Sequence, residues 1–92
     1  MQPTQRASLE FLRRPAVEHE IQHTKSDLYR LVSDGVLPRP LKLSTRHAVW
    51  LNHEIQSWKA AVASGDSKQE LRTLVAKLEE TRKHLYSSSE AL

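Results

Sequence analysis

The sequence predicts a mostly α-helical domain with one small β-hairpin, followed by a further helix. Three observations predict it. Apolar residues recur at helical spacing in four segments. Capping patterns stand at Thr24 with Asp27 and at Ser67 with Glu70. Between the second and third helical segments lie Pro38-x-Pro40 and two short alternating stretches, which suit strands.

Each element follows in order. The start "MQPTQRAS" is polar and aperiodic, so residues 1–10 are expected to be a flexible N-terminal segment. "FLRRPAVEHEI" offers Leu12, Val17 and Ile21, and Pro15 suits a first turn, which predicts helix 1 over about 15–21. Helix 2 starts at Thr24 or just after it, buries Leu28, Leu31 and Val32, and ends at Gly35. The short link "QHT" makes these two helices a helix-turn-helix. Pro38 and Pro40 impose an extended chain, and residues 41–50 read as a hairpin. Asn52 is expected to cap helix 3, with Ile55, Trp58, Ala61 and Val62 on its inner face. Trp50 and Trp58 are expected as core anchors. "SKQE" opens helix 4, which is expected to run to about Tyr86 before "SSSEAL" trails off. Helix, turn, helix, hairpin, helix is the outline of a winged helix-turn-helix. The expected division is the flexible start at 1–10, a winged domain at 11–64, and a C-terminal helix with a loose end at 65–92.

Length and composition narrow the class. Ninety-two residues suit one small domain that can lean on oligomerisation. The absence of Cys excludes disulfides and thiolate metal sites. No apolar run approaches membrane-spanning length and no signal-peptide stretch opens the chain, so a soluble, cytoplasmic protein is expected. The net charge is +3, and its placement is uneven. Residues 1–24 and 47–92 are each balanced. Residues 25–46 carry Lys25, Arg30, Arg39, Lys42 and Arg46 against Asp27 and Asp34, which accounts for the whole excess. A clustered basic excess points to a polyanion.

One stretch suggests different chemistry. "HEIQH" at 19–23 matches H-E-x-x-H, in which two His on one helix face grip zinc and the Glu activates water. The "TKSDLYR" that follows supplies no further Gly and His, and His47, His53 and His84 have no ligand spacing. His23 also falls in the link between helices, where the two imidazoles lose their common face. No metal, cofactor or catalytic residue is therefore expected, and the chain reads as a non-enzyme.

"FLRRPAV", "SDLYRLVSDGVLPRPLKL", Arg46 and "WLNHEIQSW" together resemble the AlpA-like phage regulators. These are small winged helix-turn-helix proteins similar to the MerR-like excisionases. The resemblance covers residues 11–60. Its most specific part is the ordered set Leu28-Tyr29-Arg30, Gly35, Pro38-x-Pro40, Lys42 and Trp50-x-x-x-Glu54-Ile55-x-x-Trp58. Two departures stand out. Gln22-His23-Thr24 replaces a Gly-Leu-Ser turn, and Ser44-Thr45 replaces a Gly at the wing tip. The resemblance implies double-stranded DNA as partner, on a mobile genetic element in a bacterial cytoplasm. Its roles are control of an integrase promoter, or excision as a recombination directionality factor acting with the integrase.

Helix 2 is the expected recognition helix. Its outer face bears Lys25, Ser26, Tyr29, Arg30 and Ser33, with Thr24 at its start. Arg30 can grip guanine in bidentate fashion or hold a phosphate. Lys25, Ser26 and Tyr29 suit phosphates. In the wing, Lys42, Ser44, Thr45, Arg46 and His47 are expected contacts, with Arg46 placed to enter a minor groove. Leu71, Leu74, Leu78 and Leu85 form a short heptad-like seam, interrupted at Thr81 or Arg82. Pairing with a second copy, giving a homo-oligomer at least on DNA, is preferred over folding back on the chain's own domain. A chain this small, with no effector domain, suits excision control more than polymerase contact. The alternative from another class is a protein-interaction adaptor that docks through helix 4.

Overall fold

The computed structural model describes residues 9–91, with side chains described through residue 84. Its elements are β1 (Phe11–Arg13), α1 (Arg14–Ile21), α2 (Lys25–Ser33), β2 (Leu41–Ser44), β3 (His47–Leu51), α3 (Asn52–Ala63) and α4 (Lys68–Ala91). This is a winged helix-turn-helix, mostly helical, with a three-stranded antiparallel sheet in the order β1-β3-β2. Of the expected flexible start, residues 1–8 lie outside the described residues.

The link between α1 and α2 explains how the chain turns without glycine. Gln22 takes the left-handed conformation, φ 58° and ψ 46°. That conformation crowds a Cβ, which is why Gly is the usual occupant. Gln22 therefore bears the steric cost of the turn. Two hydrogen bonds offset part of it: Gln22 Nε2 donates to the His19 carbonyl at 2.6 Å, and the His23 amide donates to the Glu18 carbonyl at 3.2 Å. The Thr24 hydroxyl then accepts from the Asp27 amide at 3.2 Å and caps α2.

At the other end of α2, Gly35 has φ 78°. Its amide bonds to the Val32 carbonyl, and the Val36 amide reaches back to Leu31. These are the paired bonds of a Schellman stop, and they turn the chain at once into the core residues Val36 and Leu37.

The hairpin pairs Leu41 with Val49, Lys42 with Ala48 and Ser44 with His47, with an irregularity between Lys42 and Ser44, and turns at Thr45-Arg46. The sequence reading missed β1. Phe11–Arg13 pairs with β3, Leu12 opposite Trp50 and Arg13 opposite Val49. Three residues directly before a proline-started helix carry too short a pattern to announce a strand, and only pairing with β3 makes them one.

The core joins Val17 and Ile21 of α1, Leu28 of α2, Val36 and Leu37, Trp50, Ile55, Trp58 and Leu71. Both tryptophans are anchors with satisfied indoles: Trp50 Nε1 donates to the Pro38 carbonyl at 2.9 Å, Trp58 Nε1 to the Val36 carbonyl at 2.7 Å. Each bond ties the segment between α2 and β2 to an element beyond it.

α3 corrects two expectations. Asn52 does not cap it; Leu51 stands at the N-cap position and offers no side-chain bond. The Asn52 side chain faces Glu10 at 3.4 Å and Gln56 at 3.1 Å instead, because pairing of β1 with β3 carries Asn52 into the first helical turn. Val62 is exposed, while Ile55 and Trp58 are buried.

α4 opens on the expected reciprocal box. The Ser67 amide donates to Glu70 at 2.7 Å and the Glu70 amide to the Ser67 hydroxyl at 3.1 Å. The backbone then stays helical to Ala91, past the expected loose end, since neither Gly nor Pro follows Gly65 to break it. This helix folds back on its own domain. Leu71 and Val75 are buried, and Leu74 and Leu78 are half-buried; the Leu85 side chain lies outside the described residues. Arg82, where the heptad pattern breaks, reaches the fully buried carboxylate of Glu54. α4 also satisfies the backbone of the residue between the two prolines. The Arg39 amide donates to Glu79 at 2.9 Å, and its carbonyl accepts from Arg82 at 2.7 Å. The core of residues 11–60 is thus completed by α4.

Candidate nucleic-acid interface

The winged fold sets α2 and the hairpin side by side, and, apart from the exposed Leu43, their exposed residues are those the sequence singled out. Lys25, Ser26, Tyr29, Arg30 and Ser33 are exposed along α2, and Thr24 is exposed at its cap. Lys42, Ser44, Thr45, Arg46 and His47 are exposed on the wing. Lys42 stands opposite Ala48, and side chains of β3 alternate, so Lys42 shares the sheet face of Trp50. Tyr29 packs its ring against Trp50, with centroids 6.4 Å apart and planes at 51°. This contact fixes the outer face of α2 against the sheet that carries the wing.

Between them lies a cleft of about 170 Å³, lined by Arg13, Arg14, Tyr29, Arg46, His47 and Ala48 among others. It unites α2 and the wing with the start of α1. Arg13 and Arg14 were absent from the sequence-predicted set. The dipeptide "RR" was visible, but its place beside the wing depends on Arg13 pairing with Val49 across β1 and β3. Ser33, exposed on α2, also lines a larger hollow of about 500 Å³ between α2 and α4. The charged groups of that hollow are already engaged, Arg39 with Glu79 at 3.0 Å and Arg72 with the Asp34 carbonyl at 3.0 Å.

Pairing separates the cations further. Arg30 is held by Asp27 in an exposed ion pair on its own helix, and Arg14 by Glu18 at 2.8 Å. Arg39, part of the basic excess of residues 25–46, turns to α4. Among the described residues, Lys25, Lys42, Arg13 and Arg46 have no ion-pair or side-chain hydrogen-bond partner, and neither do Lys68, Lys77 and Lys83 of α4, away from α2 and the wing. At the wing, the Ser44 hydroxyl and His47 Nδ1 lie 2.9 Å apart, which ties the two ends of the turn.

The H-E-x-x-H match is resolved by the same geometry. α1 ends at Ile21, and His23 lies beyond left-handed Gln22. Glu20 accepts from Lys59 at 2.7 Å and Gln56 at 3.2 Å. Those bonds, the one from Lys59 foremost, hold its carboxyl below the ordinary carboxylate range. It is an ion-pair partner joining α1 to α3. The described residues contain no group of three or more His, Cys, Asp or Glu placed to hold a metal. No helix among them is long and apolar enough to cross a membrane.

Comparison with known proteins agrees with this architecture. Residues 10–62 match the family model described as prophage CP4-57 regulatory protein (AlpA). The chain is 33% identical over 55 residues to the uncharacterized protein ORF88 of Enterobacteria phage P4. That alignment covers 60% of this chain and 62% of the relative. No solved structure matches. The family match ends in α3, so α4 lies beyond it.

Proposed function

The chain belongs to the AlpA family of prophage regulatory proteins, and on that premise we propose that it binds double-stranded DNA sequence-specifically to regulate a mobile element. The observation that carries the reading is the placement of unpaired cations. Lys25 on α2 and Lys42 and Arg46 on the wing are free to meet phosphate, while Arg39, Arg72 and Arg82 are engaged within the fold. A recognition helix in the major groove with an adjacent wing on the backbone uses that arrangement directly. Lys25, Ser26 and Tyr29 meet phosphates, and Arg30 reads a base edge after exchanging Asp27 for guanine. Thr24 and the wing residues Ser44, Thr45 and His47 complete the contact surface.

Of the two regulatory roles, control of excision is preferred, with the element's integrase as protein partner. One unit of this size covers a short site, so copies bound side by side on DNA supply the specificity.

Footprinting on DNA flanking the protein's own gene tests the reading. Protection over an attachment site supports excision control, and protection over a promoter alone supports transcriptional control. No protection at any concentration that saturates a nucleic-acid binder overturns both.

A further inference from the structure

Seven arginines lie where side chains are described, and five of them are engaged. Arg14 meets Glu18, Arg30 meets Asp27, Arg39 meets Glu79, Arg72 meets the Asp34 carbonyl and Arg82 meets Glu54. The two left without a partner among the described residues are Arg13, at the end of β1, and Arg46, in the wing turn. Both line the same cleft. Arg14 lines it too but is paired with Glu18, and no carboxylate lines the cleft to offset the charges of Arg13 and Arg46. Such a pair is stabilised by an anion between them.

The cleft also limits what that anion can be. At about 170 Å³ it is smaller than the roughly 300–1,000 Å³ of pockets that enclose small-molecule ligands. That volume has room for one tetrahedral oxyanion. Tyr29 of α2 and His47 of the wing line it as well, so it lies between the two elements proposed to meet DNA.

We propose that this cleft seats one phosphate of the DNA backbone, clamped between Arg13 of β1 and Arg46 of the wing. Guanidinium forks match phosphate oxygens in two-bond geometry, and two of them on one phosphate fix both its position and the wing's distance from α1. Arg46 is then a register-setting contact, and the minor groove is not its target. The inference rests on the DNA-binding reading and adds to it a contact from outside the helix-turn-helix and wing.

The test is a salt series on duplex DNA with the full chain and three variants, Arg13→Gln, Arg46→Gln and the double variant, each checked by thermal melting. Every phosphate neutralised contributes about 0.9 to the slope of log K against log salt. Two arginines on one phosphate predict that the double variant loses about 0.9. Two separate contacts would lose about 1.8, and that result overturns the clamp. Phosphate-ethylation interference locates the contact. One ethylated position should weaken the wild type and leave the double variant unaffected; no such position also overturns it. Should Arg13→Gln melt early, Arg13→Lys keeps the charge and loses the fork, and is expected to retain the slope while lowering affinity several-fold. A wild type that binds no duplex at all would instead refute the DNA-binding reading itself.

Discussion

The buried carboxylate of Glu54 receives Arg82 through two bonds, from Nε at 2.9 Å and from Nη2 at 2.7 Å, across 28 residues of sequence. Glu54 belongs to the segment that matches the AlpA family, and Arg82 lies beyond it. A side chain with no exposed surface is therefore neutralised from α4. Arg82 also carries the Arg39 carbonyl, and Glu79 the Arg39 amide and guanidinium. α4 thereby braces the Pro38-Arg39-Pro40 link that joins α2 to the wing.

Removing one partner of a buried pair leaves the other charge uncompensated, at a cost of about 3–5 kcal/mol. Arg82→Ala should lower the melting temperature by more than about 10 °C. Glu54→Leu combined with Arg82→Met replaces both charges by apolar volume and should recover most of the loss. Circular-dichroism melts of the three proteins check this, and a double variant as unstable as Arg82→Ala would show that the pair is not the relevant bond.

Glu79 sets an acid limit. Burial pushes its carboxyl up, but the bonds from the Arg39 amide and guanidinium outweigh burial and hold it below the ordinary range. A carboxyl with a lower pKa folded than unfolded takes up its proton more readily on unfolding. Its stabilisation is complete above the unfolded value of about 4.3 and is lost as pH falls through the folded value. Stability should thus decline below about pH 4.3. Glu79→Gln should lower the melting temperature at pH 7 and flatten that acid limb; an unchanged limb would exclude Glu79.

Gln22 bears the turn's steric cost at φ 58°. Gln22→Gly should stabilise the chain by about 0.5–1 kcal/mol, the left-handed penalty less glycine's added entropy loss. Gln22→Val should destabilise it. DNA affinity should stay within twofold for Gln22→Gly. A destabilised Gln22→Gly would mean that the bond from Gln22 Nε2 to His19 outweighs the strain.

Much of this architecture was legible because its causes are local. Ser67 with Glu70, Gly35 and the two prolines act within a few residues and stand as the pattern predicts, and Thr24 caps α2 through the Asp27 amide while the Asp27 carboxylate turns to Arg30. What escaped was non-local. Strand β1 exists through its pairing with β3, and that pairing also displaced Asn52 from the cap and brought Arg13 beside Arg46. The leucines of α4 looked like a seam for a second copy. The interruption at Arg82 was the informative residue, since it marks where the helix meets Glu54 of its own domain. The pairing of cations was equally hidden: composition counts Arg39 in the basic excess, while the fold turns it to Glu79.

The Arg30–Asp27 ion pair makes a prediction about recognition. Arg30→Ala should cost about 1–3 kcal/mol on the specific site and much less on random duplex. Equal losses on both would make it a phosphate contact. Asp27→Asn removes an anion from the surface proposed to face DNA and should raise affinity for both duplexes. Lys25→Ala and Lys42→Ala should each weaken both duplexes alike and make the salt slope shallower by about one unit.

The central claim is that α2 and the wing bind duplex DNA by sequence. Equilibrium binding of the full chain to its footprinted duplex and to a random duplex of equal length, across a salt series, tests it most directly. The account predicts a linear fall of log K with log salt for both, and affinity for the footprinted duplex at least about 10³-fold tighter at physiological salt. Equal affinity for the two duplexes, or no binding to either at the lowest salt, would contradict it.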